Sequence, residues 1–429
     1  MERIRSTELA QHAGEQVRLR GWLHHRRVLS HVSFVILRDG WGTSQIVPAD
    51  PVVISDLAAE SVIEVEGRAV AEPRAPGGVE VRDASIRVLS PAQAGLPLEL
   101  FRPTVDAALP SILDHAALSL RHPRRRAAFR LMEASVSAYR AVLREHGFTE
   151  VFTPKIVASA TESGANTFQL DYFGRPAYLA QSPQLYKQVL IGVFERVFEV
   201  GPVFRAEPHD TPRHLNEYVS LDAEMGFVTD HRDVMAMLEV TIRAMARAAT
   251  ADPSAATARA QLPIQLPERF PVLPFAEALE LLASDFGEGV RTQPDLAPAH
   301  ERWLGEWALR VHGSDFLFIV GYPMKKRPFY THPDPGRPGH SRGFDLLFRG
   351  LETVTGGQRL HRCEDYEAVM RERQIDPTPF ASYLEAFRYG MPPHGGFAIG
   401  LERWVQQLVG ASNLRETTLF PRDLNRLVP

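Results

Sequence analysis

Cysteine is almost absent from this sequence: Cys363 stands alone in 429 residues. No disulfide can close within the chain, and such usage belongs to a reducing compartment. Long apolar runs are missing too. No segment approaches the roughly 18 uninterrupted apolar residues that a membrane-spanning helix needs. Behind Met1-Glu2-Arg3-Ile4-Arg5 there is no apolar stretch of the kind a secretory signal requires. The expectation is a cytoplasmic protein without a membrane partner. Internal repeats and a long disordered tail are also lacking.

Charge of one sign is not in excess: 48 Lys and Arg stand against 52 Asp and Glu, a net charge of −4. That balance looks wrong for a nucleic-acid binder, but net charge does not describe any one surface. The basic residues are unevenly placed. His24-His25-Arg26-Arg27 lies near the N-terminus, and Arg121, Arg124, Arg125, Arg126 and Arg130 cluster around His122-Pro123. Such runs are as readily a solvated helix face as an RNA footprint. The composition, 44% hydrophobic and 23% charged, is that of an ordinary globular chain, and the length calls for two or three domains.

Residues 15–90 read as short strands. Gln16 to Leu23 alternates, Val32 to Gly40 runs into a turn, and Thr43 to Val47, Val62 to Val70 and Val79 to Val88 follow. Strands of this length, punctuated by Gly and Pro, predict a small barrel, with an OB-fold as the natural candidate. The proline-rich stretch from Pro91 to Pro110 reads as a hinge. Helical periodicity then runs from Pro123 to His146 and stops at Gly147. Phe148 to Phe152 predicts a strand halted at Pro154, Asp230 to Ala251 a helical insertion, and Asp252 to Pro267 an Ala-rich link. Two apolar strands (Phe316 to Gly321, Phe344 to Phe348) and a helix from Leu401 to Leu408 complete the chain. Strands scattered among helices argue for an α+β fold with an antiparallel sheet flanked by helices. The expected boundaries are a barrel at 1–92, a hinge at 93–120 and a larger domain at 121–429.

Four stretches carry the chemistry: Gln184-Leu185-Tyr186-Lys187, Phe204-Arg205-Ala206-Glu207, Glu352 through Arg359, and Gly400-Leu401-Glu402-Arg403. Taken singly, they fit a surface hairpin, a charged turn or a capped amphipathic helix. In this order they supply the Arg, Glu and Lys groups that ATP, a divalent cation and a small acidic substrate demand. Glu352 and Thr355, in Gly350-Leu351-Glu352-Thr353-Val354-Thr355-Gly356-Gly357, offer hard oxygens beside what reads as a flexible turn. They suit magnesium, which takes few protein ligands alongside phosphates and water. Gly396 and Gly400 permit close backbone approach to a nucleotide. No Ser/His/Asp triad motif is present.

FRxE followed by GLER on the approach Gly395-Gly396-Phe397-Ala398-Ile399 resembles motifs 2 and 3 of the class II aminoacyl-tRNA synthetases. Over nearly its whole length the chain is similar to aspartyl-tRNA synthetases of the compact archaeal type. It lacks room for the large domain that bacterial forms carry between those motifs. A motif 1 strand ends at Pro154, which in this class lies at a homodimer interface. Ala160-Thr161-Glu162-Ser163-Gly164 resembles the mobile loop whose glutamate, here Glu162, closes over the substrate ammonium.

The resemblance implies a chemistry of positioning and charge neutralisation, in which the substrate carboxylate attacks the α-phosphorus of ATP. It gives Arg205 the substrate carboxylate and α-phosphate, Glu207 the adenine amino group, and Tyr218 an adenine face. Arg213 and His214 would reach the outer phosphates, with Leu215 beside them. Arg403 would cover the other adenine face and touch the γ-phosphate, next to Gly400, Leu401 and Glu402. Glu352 and Thr355 would hold Mg2+. Gln184, Lys187, Ser220, Asp222, Thr355 and Arg359 would form the L-aspartate pocket, where Lys187 and Arg359 favour a carboxylate over the isosteric amide. One departure is noted: Thr355 stands where serine is common.

For tRNA, the resemblance implies base stacking on Phe34 and edge reading by Gln45. Strictly discriminating members carry Trp and Lys where this chain has His24 and Pro91. The expectation is therefore relaxed charging of both tRNA(Asp) and tRNA(Asn), whose anticodons differ only at the third position, and a downstream tRNA-dependent amidotransferase. The alternatives are a discriminating enzyme, an asparaginyl enzyme, a tRNA-independent asparagine synthetase (which typically lacks the barrel), or an inactive paralogue that binds RNA.

Overall fold

The computed structural model describes residues 1–28, 33–93, 95–158, 166–260 and 262–428. It divides into two compact units, Met1–His122 and Pro123–Pro429. Among the described residues no helix is long and apolar enough to cross a membrane.

In the first unit, strands β1 (Gln16–Val28), β2 (Ser33–Arg38), β3 (Thr43–Pro48), β4 (Val62–Ala71) and β5 (Val79–Ser90) close into a barrel in the order β1-β2-β3-β5-β4. Alternation drives the closure: Leu19, Leu23, Val35, Leu37, Ile46, Val65 and Val81 point inward and are buried. This is the expected five-stranded OB-like barrel. The one strand whose expected start falls outside the described residues is β2, since Val32 is not among them. A β-bulge interrupts β1: Leu23 pairs with Leu37 and His25 with Ile36, which leaves His24 as the extra residue. Among its described residues, the proline-rich stretch beyond β5 carries two short helices, Leu109–Asp114 and Ala116–Ser119, and belongs to the first unit.

The second unit opens with the Pro123–Glu145 helix, which ends where Gly147 adopts φ 79°. Eleven strands follow among the described residues: β6 (Thr149–Glu150), β7 (Ile156–Val157), β8 (Gln169–Tyr172), β9 (Arg175–Leu179), β10 (Arg196–Phe204), β11 (Glu217–Gly226), β12 (Val272–Pro274), β13 (Phe316–Val320), β14 (Gly343–Phe348), β15 (Leu351–Gln358) and β16 (His394–Gly400). The main sheet runs β12-β13-β14-β15-β16-β11-β10-β6, and a small sheet runs β7-β9-β8. Its interior is antiparallel, as expected, with parallel pairs only at the two edges. The strand expected over Phe148 to Phe152 shrinks to two residues. Phe148 turns into the core while Phe152 faces solvent, so the run cannot continue as one pleated strand.

Two further expectations change. His231–Ala251 is a helix, but not an insertion: Val234, Leu238, Ile242 and Met245 bury against Tyr139 and Leu143 of the first helix and form part of the core. The Ala-rich link contains a helix at Ser254–Ala258, which seats Ala255 and Ala258 on Ala127 and Leu131. Alanines this small show no apolar stripe in the sequence, yet they allow close packing.

Between β14 and β15 the chain turns through Arg349 and Gly350 alone, with φ 49° and 72°, the two-residue geometry that matches strand twist. The Pro298–His312 helix lies directly on this turn. A Cβ added to Gly305 would stand 2.3 Å from the Gly350 nitrogen and 2.5 Å from its Cα. Glycine to alanine in a helix interior ordinarily gains about 1 kcal/mol. Here backbone meets backbone and neither can yield, so Gly305→Ala is expected to destabilise the fold by about 1–3 kcal/mol. Urea unfolding of the two chains checks the sign.

Candidate active site

The site is laid out by strand alternation. On β11, Leu221 and Ala223 enter the core while Ser220, Asp222 and Glu224 face the other way. Across the ladder on β16, these three lie opposite Gly400, Ala398 and Gly396. Every polar residue of the row thus faces a small partner, and a cleft of about 420 Å³ opens above the sheet. Its walls contain Gln184, Arg205, Glu207, Arg213, His214, Leu215, Tyr218, Ser220, Asp222, Glu352, Thr355, Arg359, Gly400, Glu402 and Arg403, fifteen of the residues singled out from sequence. Two others lie elsewhere. Leu401 is buried in the core, since its side chain takes the inner face of the Leu401–Val409 helix with Trp404 and Leu408. Lys187 lies behind the cleft wall rather than in it. Glu162 is outside the described residues.

Lys187 is almost wholly buried, and its Nζ donates to Asp222 Oδ1 at 3.0 Å and to the Phe397 carbonyl at 3.3 Å, with Glu224 Oε2 at 3.2 Å. Arg359 donates from Nε to Glu224 Oε1 at 3.0 Å and from Nη2 to the Gly396 carbonyl at 3.1 Å. Glu224, unforeseen from sequence, therefore links both cations. Burial alone would raise its pKa, but Arg359 and Lys187 reverse this and hold the carboxyl below its ordinary range. Two cations and two carboxylates sum to zero, so the floor does not select by net charge. Direction is what remains. Arg359, in the cleft wall, makes its hydrogen bonds to the described residues through Nε and Nη2 and none through Nη1, and the buried Gln184 Nε2 has no protein partner. Both are donors awaiting an acceptor.

Gly396 serves this cluster. A Cβ there would lie 2.1 Å from Glu224 Oε2 and 2.1 Å from the Ala223 carbonyl, so the glycine makes room for a carboxylate, not for a nucleotide as expected. The space above Gly400 is open apart from ordinary contact with the Arg403 side chain at 3.7 Å.

At the other end of the cleft, Arg205 stands 5.7 Å from the Tyr218 ring, and Arg403 donates to the Glu352 carbonyl at 2.8 Å. Glu352 and Thr355 lie on β15, not on a flexible turn. In a regular strand residues three apart face opposite sides. Here Leu346 pairs with Val354 and Leu347 with Glu352, so Thr353 is a bulge that returns Glu352 and Thr355 to one face. Thr355 Oγ1 lies 3.2 Å from Glu352 Oε1, a pair of hard oxygens suited to magnesium. The cleft walls only partly desolvate the Glu352 carboxylate, whose side chain stays 39% exposed, and with Asp345 nearby they raise its pKa; Arg403 opposes this. Arg213 is held by Glu301 at 2.6 Å, and the same carboxylate accepts the Glu352 N–H at 2.9 Å. Burial also lowers the pKa of His214, whose Nδ1 lies 2.6 Å from Thr211 Oγ1.

Sequence reasoning missed Glu224, Glu301, Arg327 and Asp345. Arg327 lines the cleft and pairs with Asp345 at 2.9 Å. For Glu224 a signal exists: Ser220, Asp222 and Glu224 form a period-two polar row within an otherwise apolar central strand. The others come from distant elements and leave no such trace.

In the barrel, Phe34 and Ile36 alternate with buried Val35 and Leu37, and Ile36 pairs with Gln45, so Phe34 and Gln45 share the outer face. Gln45 Nε2 donates to Glu80 at 2.7 Å. His24 is buried at its bulge, while Pro91 is exposed just beyond β5.

Glu402 belongs to the cleft wall, yet its carboxylate serves the backbone. Its carboxylate is buried and accepts the Val219 N–H at 3.1 and 3.2 Å, and burial raises its pKa to about 7. The folded chain holds this proton more tightly than the unfolded one. The contribution is complete below the ordinary carboxylate pKa and is lost as pH rises through about 7. Replacing Glu402 by Gln is expected to flatten the stability profile by about 2–3 kcal/mol between roughly pH 5 and 8. Urea unfolding at both pH values measures it.

The family model described as tRNA synthetases class II (D, K and N) matches residues 110–424. The aspartate–tRNA(Asp/Asn) ligase of Deinococcus radiodurans is 44% identical over 440 residues, covering 100% of this chain and 99% of the relative. That of Thermus thermophilus is 44% identical over 429 residues and is covered, like this chain, at 100%. Among solved structures, asparaginyl-tRNA synthetase from Pyrococcus horikoshii complexed with asparaginyl-adenylate superposes with a TM-score of 0.92 at 32% identity, with 100% of both chains covered. With the family model spanning most of the sequence and such relatives matching it end to end, the chain belongs to the class II tRNA synthetases of the D, K and N group.

Proposed function

We propose that the chain activates L-aspartate with ATP and transfers it to both tRNA(Asp) and tRNA(Asn). The observation that carries the choice of amino acid is a pair of donors with no hydrogen-bond partner among the described residues, Arg359 Nη1 and Gln184 Nε2, on two side chains that line the cleft beside the buried Lys187–Asp222–Glu224–Arg359 cluster. A side-chain carboxylate satisfies both donors; an amide presents its own N–H groups to a guanidinium. The shared name of the Deinococcus and Thermus relatives supports the two-tRNA reading.

The α-carboxylate of aspartate attacks the α-phosphorus, and pyrophosphate leaves. A terminal tRNA hydroxyl then attacks the acyl carbon, and AMP leaves. Arg205 neutralises the α-phosphate with a planar fork, between substrate and the Tyr218 ring that receives adenine. Arg403 covers the opposite adenine face, Glu207 accepts from the adenine amine, and Arg213 and His214 meet the outer phosphates. Glu352 and Thr355 would hold Mg2+, which would supply charge neutralisation at the phosphates when bound. Glu162 closes over the substrate ammonium. The activation step needs no general base, because its carboxylate nucleophile is already ionised; in the transfer step the tRNA hydroxyl gives up its proton as AMP leaves.

Residues 1–92 serve as the anticodon-binding domain, 93–120 as the hinge and 121–429 as the catalytic domain. Phe34 stacks on an anticodon base, Gln45 reads a base edge, and His24 and Pro91 set the tolerance at the third position. A second copy of the chain covers exposed apolar side chains that follow the first helix of the second unit: Phe152 (79% exposed), Phe173 (88% exposed), Ile156 and Tyr172. The enzyme works in the cytoplasm, and Asp-tRNA(Asn) passes to a tRNA-dependent amidotransferase.

Aspartylation of purified tRNA(Asp) and tRNA(Asn) side by side, with asparagine as control, tests the reading. Comparable charging of both with aspartate and none with asparagine is expected; charging of tRNA(Asp) alone removes the two-tRNA claim. Arg359→Lys keeps the charge but loses the fork, and should lower kcat/KM for aspartate by about a hundredfold or more.

A further inference from the structure

The barrel contains a second buried charge cluster that nothing in the aminoacylation chemistry uses. Its centre is Glu60, 4% exposed, at the entry to β4. Glu60 has φ 67°, a left-handed conformation that costs about 1 kcal/mol or more for a residue with a side chain. The surroundings over-determine it. The Glu60 carboxylate accepts from Arg38 Nη2 at 2.7 Å and Arg121 Nη1 at 3.2 Å, and lies 3.5 Å from His24 Nδ1. Its backbone N–H donates to the Leu23 carbonyl at 2.7 Å, and the Leu23 N–H returns a bond to the Ser61 carbonyl at 2.8 Å. Ser61 Oγ in turn accepts the Ala92 N–H at 2.9 Å.

Two adjacent residues therefore hold two separate pieces of the barrel. Glu60 faces the imidazole of His24 at 3.5 Å, the residue that the bulge in β1 turns inward. Ser61 fixes the backbone immediately after Pro91. Both anchored positions depend on the same strained point of the chain, and a bulge beside a left-handed, fully paired carboxylate is the arrangement expected where a side chain is being aimed. Burial alone would raise the Glu60 pKa, but His24, Arg38 and Arg121 together hold it below the ordinary range, so the carboxylate remains an anion in this cluster.

We infer that Glu60, with Ser61, is the positioning element that sets how the barrel tolerates C or U at the third anticodon base, by seating His24 and the Pro91–Ala92 segment in one fixed relation. This rests on the proposed role of His24 and Pro91, and deepens it. Glu60 itself touches no base in this account; it acts through the residues it holds.

Steady-state aspartylation by the full chain tests this with tRNA(Asp), tRNA(Asn), and tRNA(Asp) transcripts bearing C or U at the third anticodon position. Tyr or Leu at Glu60 would confound strain with charge. Glu60→Gly keeps the left-handed backbone at no steric cost while removing the carboxylate. Ser61→Ala cuts only the tether to Ala92. Expected for Glu60→Gly is a change of about fivefold or more in the C-to-U ratio of kcat/KM, carried by KM, with a smaller change for Ser61→Ala. Aspartate-dependent ATP–pyrophosphate exchange without tRNA should stay at the wild-type rate. Equal losses on both transcripts, or an unchanged ratio, would overturn the inference by reducing Glu60 to a barrel strut. Should Glu60→Gly not fold, an unchanged ratio in Ser61→Ala overturns it alone. If the wild type charges tRNA(Asp) only, the two-tRNA reading fails, and the C and U transcripts still decide the role of Glu60.

Discussion

The second unit is organised around a contact that is expensive to bury and more expensive to break: Glu224 between Lys187 and Arg359. Four ionised groups lie together out of solvent, and removing any one leaves its partners uncompensated, at a cost of about 3–5 kcal/mol. Such a cluster is weak as a source of stability. Its value is rigidity. Arg359 is fixed by Glu224 and the Gly396 carbonyl, so its guanidinium plane, and with it the one nitrogen left over, has a defined direction. Gly396 is needed because the carboxylate occupies the space a side chain would take. The small residues of β16 are thus the counterpart of the polar row on β11.

The same logic recurs along the sheet. Asp345, Thr355, Ala398 and Asp222 are direct neighbours across β14, β15, β16 and β11, so one row of the ladder runs from the Glu352–Thr355 end of the cleft to the Asp222–Arg359 end. The bulge at Thr353 moves Glu352 onto that face, and Glu301 ties Glu352 to Arg213 from a helix distant in sequence. Precision comes from strands rather than loops, which suits a reaction that depends on positioning more than on proton transfer.

Much of this was legible in the sequence. The barrel strands announced themselves by alternation and by Gly and Pro between them. The Arg205–Glu207 and Gly400–Arg403 stretches stood at the ends of elements whose periodicity was clear. What stayed hidden has physical reasons. Lys187 and Arg359 read as two cations facing a substrate, but their neutralising partners lie on other strands, so the floor looked more positive than it is. Glu352 and Thr355 looked like a turn because the glycines around them make β15 read as irregular, when those glycines in fact allow close strand packing. A helix of alanines gave no stripe to see. Glu60 was invisible because no local pattern marks a glutamate that must adopt a glycine's backbone angle.

The central claim is that the fixed donors above the neutral floor select a carboxylate. Aspartate- against asparagine-dependent ATP–pyrophosphate exchange, measured in wild type and in Glu224→Gln, tests it most directly. The account predicts a wild-type preference for aspartate of about 10⁴ in kcat/KM, which collapses in Glu224→Gln as Arg359 loses its fixed direction. Exchange with asparagine within about tenfold of aspartate, or a preference untouched by Glu224→Gln, would contradict it.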